Sequence, residues 1–223
     1  MAKKSELRVI NKDFAIIGGY MFKKYLAALM VLCIVILDCS CTTNNASQSE
    51  DSSIASLGLE KAEKCLIPTS YFKFSGYTLE SAFEEYSEYV NSYFVSVKQA
   101  DNGLLLEMTE KQKKDFINRN NEFIEKQLKQ FTEYNDTYKY VGDSEYKTLE
   151  FYYDEKIPEA IEVRGVWAVV NGYGMNYILK NNTTEWGVHV TIKNCHTGKV
   201  VASGTIPNET VSYGENEWKK SYE

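Results

Sequence analysis

The apolar residues of this chain change their spacing near Asp136. Before it they recur at steps of three and four, and after it they mostly alternate. A helix presents one face about every 3.6 residues, whereas a strand presents one face every second residue. No all-helical or all-β fold satisfies both halves. The pattern predicts an α+β domain, a two-helix antiparallel pair followed by an antiparallel β-meander of about four to five strands. In the first half, Thr78 is an N-cap residue, and Leu79, Phe83, Tyr86, Val90, Tyr93 or Phe94, and Val97 form one helical face. Glu80, Glu84, Glu85 and Glu88 suit the positive end of that helix. Asp101-Asn102-Gly103 is a turn, and Leu104–Leu106 is an apolar plug under the helices. Thr109 and Gln112 have the spacing of a capping box. Phe116, Ile117, Phe123, Ile124, Leu128 and Phe131 then form the apolar face of a second helix, to about Glu133.

In the second half, Leu149, Phe151 and Tyr153 share one side of a short strand. Ile161–Val170 is β-branched and partly alternating. Pro158 is placed to open a helix there, but Gly165 and the Val, Ile and Trp content favour a strand. Met175–Lys180 reads as another strand. Gly187–Lys193 alternates cleanly, with Val188, Val190 and Ile192 against His189, Thr191 and Lys193. Asn194–Gly198 is a hairpin turn, and Val200–Ile206 is the returning strand.

The N-terminal segment has a different logic. Tyr25–Leu37 is an apolar run of 13 residues behind Lys23 and Lys24, followed by Cys39 and Cys41. A membrane-spanning helix needs roughly 20 apolar residues and a signal core roughly 7–15. The layout resembles a bacterial lipoprotein signal. That resemblance implies lipidation of Cys41, with Cys39 as the alternative. Ser40 is the small residue expected before Cys41, whereas Asp38 stands before Cys39. Met21 fits as the start of such a signal better than Met1 does. A single-span anchor and a plain secreted protein are the alternatives. The expected organisation is a signal segment over 1–41, a Ser/Asn/Thr-rich flexible tether over 42–57 and a single α+β domain over 58–223. The expected location is the bacterial cell envelope, extracytoplasmic and anchored to the membrane by lipid.

Residues 1–41 hold six basic and three acidic residues, so 19 basic and 28 acidic remain beyond them, a net charge of −9. Such a chain lacks the basic footprint of a nucleic-acid binder. Of the five cysteines, Cys65 and Cys195 lie in the expected domain and form a candidate disulfide for an exported protein. Their separation has no zinc-site spacing, and no metal or cofactor site is expected. Cys195 and His189 are conceivable as a dyad across the hairpin, but no orienting residue or oxyanion loop accompanies them. The carboxylates Glu84, Glu85, Glu88, Glu150, Asp154, Glu155, Glu159 and Glu162 read as solvated faces. Gly172-Tyr173-Gly174 is not a phosphate loop, and the sequons at Asn135, Asn181, Asn182 and Asn208 weakly mark surface. The 17 tyrosines suit either a core edge or a binding groove. The expected function is therefore a non-enzymatic binding or interaction domain whose partner is another envelope protein, a peptide or a glycan. A structural envelope role without a ligand, or an enzyme of unrecognised type, is the alternative.

Overall fold

The computed structural model describes residues 61–223, so the signal segment, Cys39, Cys41 and the tether lie outside the described residues. The architecture is α+β, built on two sheets. The first holds β1 (Glu63–Pro68), β2 (Ser96–Ala100) and β3 (Gly103–Met108), all antiparallel, with β3 in the centre. The second holds β4 (Lys139–Gly142), β5 (Thr148–Tyr153), β6 (Val188–Asn194) and β7 (Val200–Ile206), in that spatial order. Its two outer pairs are antiparallel, but β5 and β6 run parallel, with Thr148 opposite His189 and Tyr153 opposite Asn194. The sheet is mixed and is not the meander that the alternation suggested.

A parallel pair needs a long crossover. Here it is helical. A short helix α4 (Glu159–Glu162) follows Pro158, passes through a π turn at Val163–Trp167 and continues as α5 (Ala168–Asn181). The strands expected at Ile161–Val170 and Met175–Lys180 are therefore helix. Ten of the fourteen α5 residues are buried, polar Asn176 among them. A helix enclosed on nearly every side shows no amphipathic stripe, and its Val, Ile and Tyr content reports burial, not strand geometry. Gly165 has a steric role in this helix. A Cβ added there would sit 2.7 Å from Phe131 Cβ, and one added at Gly172 would sit 2.7 Å from an Ile124 carbon. Both lie where the crossover meets α3 (Glu110–Tyr134), so these glycines let two helix backbones approach closely.

The first half follows the local signals more closely. Thr109 and Gln112 complete their capping box, with each side chain accepting the other's backbone N–H at 3.2 and 3.0 Å. Thr78 caps α2 (Leu79–Ser87) through the Ser81 N–H. That helix ends ten residues earlier than its apolar pattern suggested. Asn91 takes a left-handed conformation at φ 70°, and the chain turns back to bury Phe94 before entering β2. Leu104–Leu106 is central strand β3, not a plug between helices. Two elements, β1 and α1 (Thr69–Ser75), carry no periodic signal in the sequence. The expected antiparallel helix pair is also replaced. α2 packs on β2 and β3, while α3 lies chiefly against α5 and the π turn and also touches β3 and β4.

The two sheets share one continuous apolar core. Phe131 reaches β5 through edge-on contacts with Phe151 and Tyr153. Phe116 joins Phe94 and Tyr86 beside the first sheet. The last helix, α6 (Glu215–Tyr222), closes over the ends of β6 and β7. No helix among the described residues is long and apolar enough to cross a membrane.

Candidate functional site at the ends of the parallel strands

Because β5 and β6 run parallel and finish in register at Tyr153 and Asn194, the next residue of each leaves the sheet at the same edge. Those residues are Asp154 and Cys195. The Cys195 N–H donates to the Tyr153 carbonyl at 3.0 Å, which carries the ladder one rung beyond the strands. In open sheets with parallel strands, the carboxyl ends are where ligand sites form.

The carboxylate of Asp154 is buried, at 7 % exposure. Its Oδ1 accepts from the Tyr138 hydroxyl and from the Lys156 N–H, both at 2.9 Å. Its Oδ2 points to His196 Nε2, 3.4 Å away. Burial, reinforced by the bond to Asp154, raises the Tyr138 phenol well above its usual value, so it remains a donor. The turn carrying Cys195 and His196 is held from beneath by the fully buried Asn194. Asn194 Oδ1 accepts the His196 N–H at 2.9 Å, and its Nδ2 donates to Ser221 Oγ at 2.8 Å. Thr197 donates to the Ser221 carbonyl at 2.8 Å, so α6 clamps the turn twice. Tyr222 stacks on the His196 ring, with centroids 6.2 Å apart, and donates to Glu155.

Cys195 Sγ lies 3.5 Å from the Thr137 hydroxyl. Burial pushes this thiol up; the Thr137 bond opposes the shift, and the negative charges of Asp154 and Glu155 add to it. An activated nucleophile requires the reverse shift. Asp154 Oδ2, Cys195 Sγ and His196 Nε2 nevertheless converge, with one donor atom from each residue and all three within 4.8 Å of one another. The arrangement is that of a ligand set, and two of its members come from the turn while the third comes from the neighbouring strand.

A second buried polar cluster lies deeper. Glu162, just before the π turn, accepts from the hydroxyls of Tyr213 and Tyr153, the latter at 3.1 Å. The two hydroxyls also meet each other at 2.8 Å. Burial, then the neighbouring Tyr213 and Glu162, holds the Tyr153 phenol far above its ordinary value. This network ties the segment leading into α6 to the crossover helix.

The residues singled out in the sequence are distributed otherwise. Cys65 lies in β1 of the first sheet and Cys195 beyond β6 of the second, and both thiols are free, so the candidate bridge is not formed. Burial pushes the Cys65 thiol up to about 11. His189 is not beside Cys195. It lies near the start of β6, with its ring nitrogens 3.1 and 3.0 Å from the Thr205 and Ser203 hydroxyls of β7. Glu150 pairs with Lys193 at 2.7 Å on the outer sheet face. The tyrosines mostly line the core and its margin: Tyr71, Tyr138, Tyr153, Tyr173 and Tyr213 are buried, and Tyr77, Tyr86, Tyr89 and Tyr93 pack against the core. Of the exposed ones, Tyr222 stacks on His196 and Tyr134 packs on Tyr138, both at the candidate site. Sequence reasoning grouped Asp154 with the solvated carboxylates. The signal that identifies it is position, since it is the first residue past a strand whose parallel partner ends at Asn194. No protein-family model, curated protein or solved structure matches the chain.

Proposed function

We propose that this chain is a lipid-tethered, extracytoplasmic binding domain of the bacterial envelope, without enzymatic activity, whose ligand engages the carboxyl ends of β5 and β6. The single observation that carries the binding site is the convergence of Asp154, Cys195 and His196 at one edge of the mixed sheet, flanked by exposed Tyr222. The apolar run before Cys39 and Cys41, and the acidic balance beyond them, support a covalent lipid as the link to the membrane.

Two measurements test the reading on the full chain in cells. Metabolic palmitate labelling should vanish in Cys41→Ala and persist in Cys39→Ala; labelling that survives both removes the tether. A photoreactive residue at exposed Lys156 should give an adduct that disappears when His196→Ala is added, whereas one at exposed Val95, in the turn leading into β2, should not respond. Adducts indifferent to His196 would favour the structural envelope role instead.

A further inference from the structure

We propose that Asp154 Oδ2, Cys195 Sγ and His196 Nε2 together bind one divalent transition-metal ion of the zinc type. This names the ligand class for the site above and rests on that reading of the strand ends.

The first argument is a distance. Asp154 Oδ2 and His196 Nε2 stand 3.4 Å apart. A charge-assisted hydrogen bond between such groups closes to about 2.7–2.9 Å. Two ligands at about 2.0–2.2 Å from one ion, under a tetrahedral angle, stand roughly 3.3–3.5 Å apart. The pair is therefore spaced as co-ligands, not as a tight ion pair. All three donor atoms lie within 4.8 Å of one another, so seating the sulfur as well takes about an ångström of movement, which a half-exposed side chain supplies by a small torsion.

The second argument is support behind the ligands. Ligating groups work when an outer shell fixes them. Asp154 has its other oxygen held by Tyr138 and the Lys156 amide, which turns Oδ2 toward His196 Nε2. Buried Asn194 fixes the turn, and the stack on Tyr222 restrains the imidazole plane.

The third argument is donor chemistry. A thiolate, an imidazole and a carboxylate suit zinc and its neighbours, while calcium and magnesium take oxygen ligands. On binding, the Sγ–H bond breaks, the sulfur donates its electron pair to the ion, and the proton passes to water. Three protein donors leave a fourth position on the exposed side of His196, where water or a donor group of a partner would sit.

The test uses the full chain in detergent with Co2+ and Zn2+ alone as probes. The expected result is one ion per chain, a sulfur-to-cobalt charge-transfer band, and displacement by Zn2+ but not by Mg2+. Cys195→Ala should abolish the band. His196→Ala changes a half-exposed side chain, keeps the fold intact, and should weaken binding at least 10-fold. Tyr138→Phe removes an outer-shell bond without removing a ligand, and should weaken it by about 10-fold. No ion bound, or a band that persists in Cys195→Ala because other cysteines carry it, would overturn the assignment. If no ion binds while the Lys156 adduct still depends on His196, the metal assignment alone fails. An ion bound without any such adduct keeps the assignment and removes the partner-binding reading.

Discussion

Each sheet has one pair of neighbouring strands separated by a long stretch of chain, but that pair is antiparallel in the three-stranded sheet (β1 and β3) and parallel in the four-stranded one (β5 and β6). In the three-stranded sheet, β2 and β3 are joined by Asp101 and Asn102 alone, and the turn that joins them was legible from three residues. In the four-stranded sheet the central pair, β5 and β6, is joined by everything from Asp154 to Gly187. A two-residue turn pairs its strands almost by itself, whereas a parallel pair forms only after its crossover helix packs. The candidate site sits on the second kind of pairing. Its residues meet only because two distant strands finish side by side, so the site depends on a pairing that the crossover helix brings about.

The largest expected effect comes from the residue that joins the crossover to the sheet. Phe131 is fully buried against Phe151, Tyr153 and Gly165, and Phe131→Ala should cost about 3–5 kcal/mol. Hydrogen exchange should show β5 and β6 amides losing protection before those of β2 and β3. Equal loss in both sheets would erase the distinction drawn between them. Gly165→Ala comes next, at about 1–3 kcal/mol, because the new methyl meets the Cβ of Phe131, which cannot swing away. A urea midpoint unchanged from wild type would show that α3 and the crossover are not in close contact.

Thr109→Ala removes the cap of α3 and should cost about 1 kcal/mol, with the loss spread over both sheets because α3 touches both. A loss confined to the first sheet would show the two halves to be more independent than their shared core implies.

The smallest effect concerns the β4–β5 turn. Burial alone would raise the Asp143 carboxyl, but the Thr148 hydroxyl and the amides of Lys147, Glu145 and Thr148 together hold it below its ordinary value. A depressed carboxylate stabilises the fold above its unfolded value of 3.8 and loses that contribution as pH falls through the lower folded value. Asp143→Ala should therefore cost about 0.5–1 kcal/mol at neutral pH, allowing for exposure, and progressively less below pH 3.8. A cost that stays constant from neutral pH down through that range would show that the turn does not depend on the charge.

Local chemistry was readable wherever neighbours in sequence are neighbours in space. Both N-caps, the Asn194–Gly198 hairpin, and the inward faces of β5 and β6 follow directly from residue spacing. Helix α5 was not readable, because burial on nearly all sides removes the polar face that distinguishes a helix from a strand in sequence. Misreading α5 as strand turned the parallel pair into a meander, and with that the reason to place Asp154 beside Cys195 disappeared. His196 follows Cys195 directly in the chain, but the carboxylate facing it comes from the end of the neighbouring parallel strand.

The amino-acid sequence by itself determined the α+β class, the caps and turns and the acidic balance, since these follow from residue types and from spacings within about one helix turn or one strand. Tertiary structure alone decided the order and direction of the strands, the freedom of Cys65 and Cys195, and the meeting of a carboxylate, a thiol and an imidazole. Those outcomes depend on which surfaces a buried helix covers, and Gly165 and Gly172 settle that by close contact with side chains of α3.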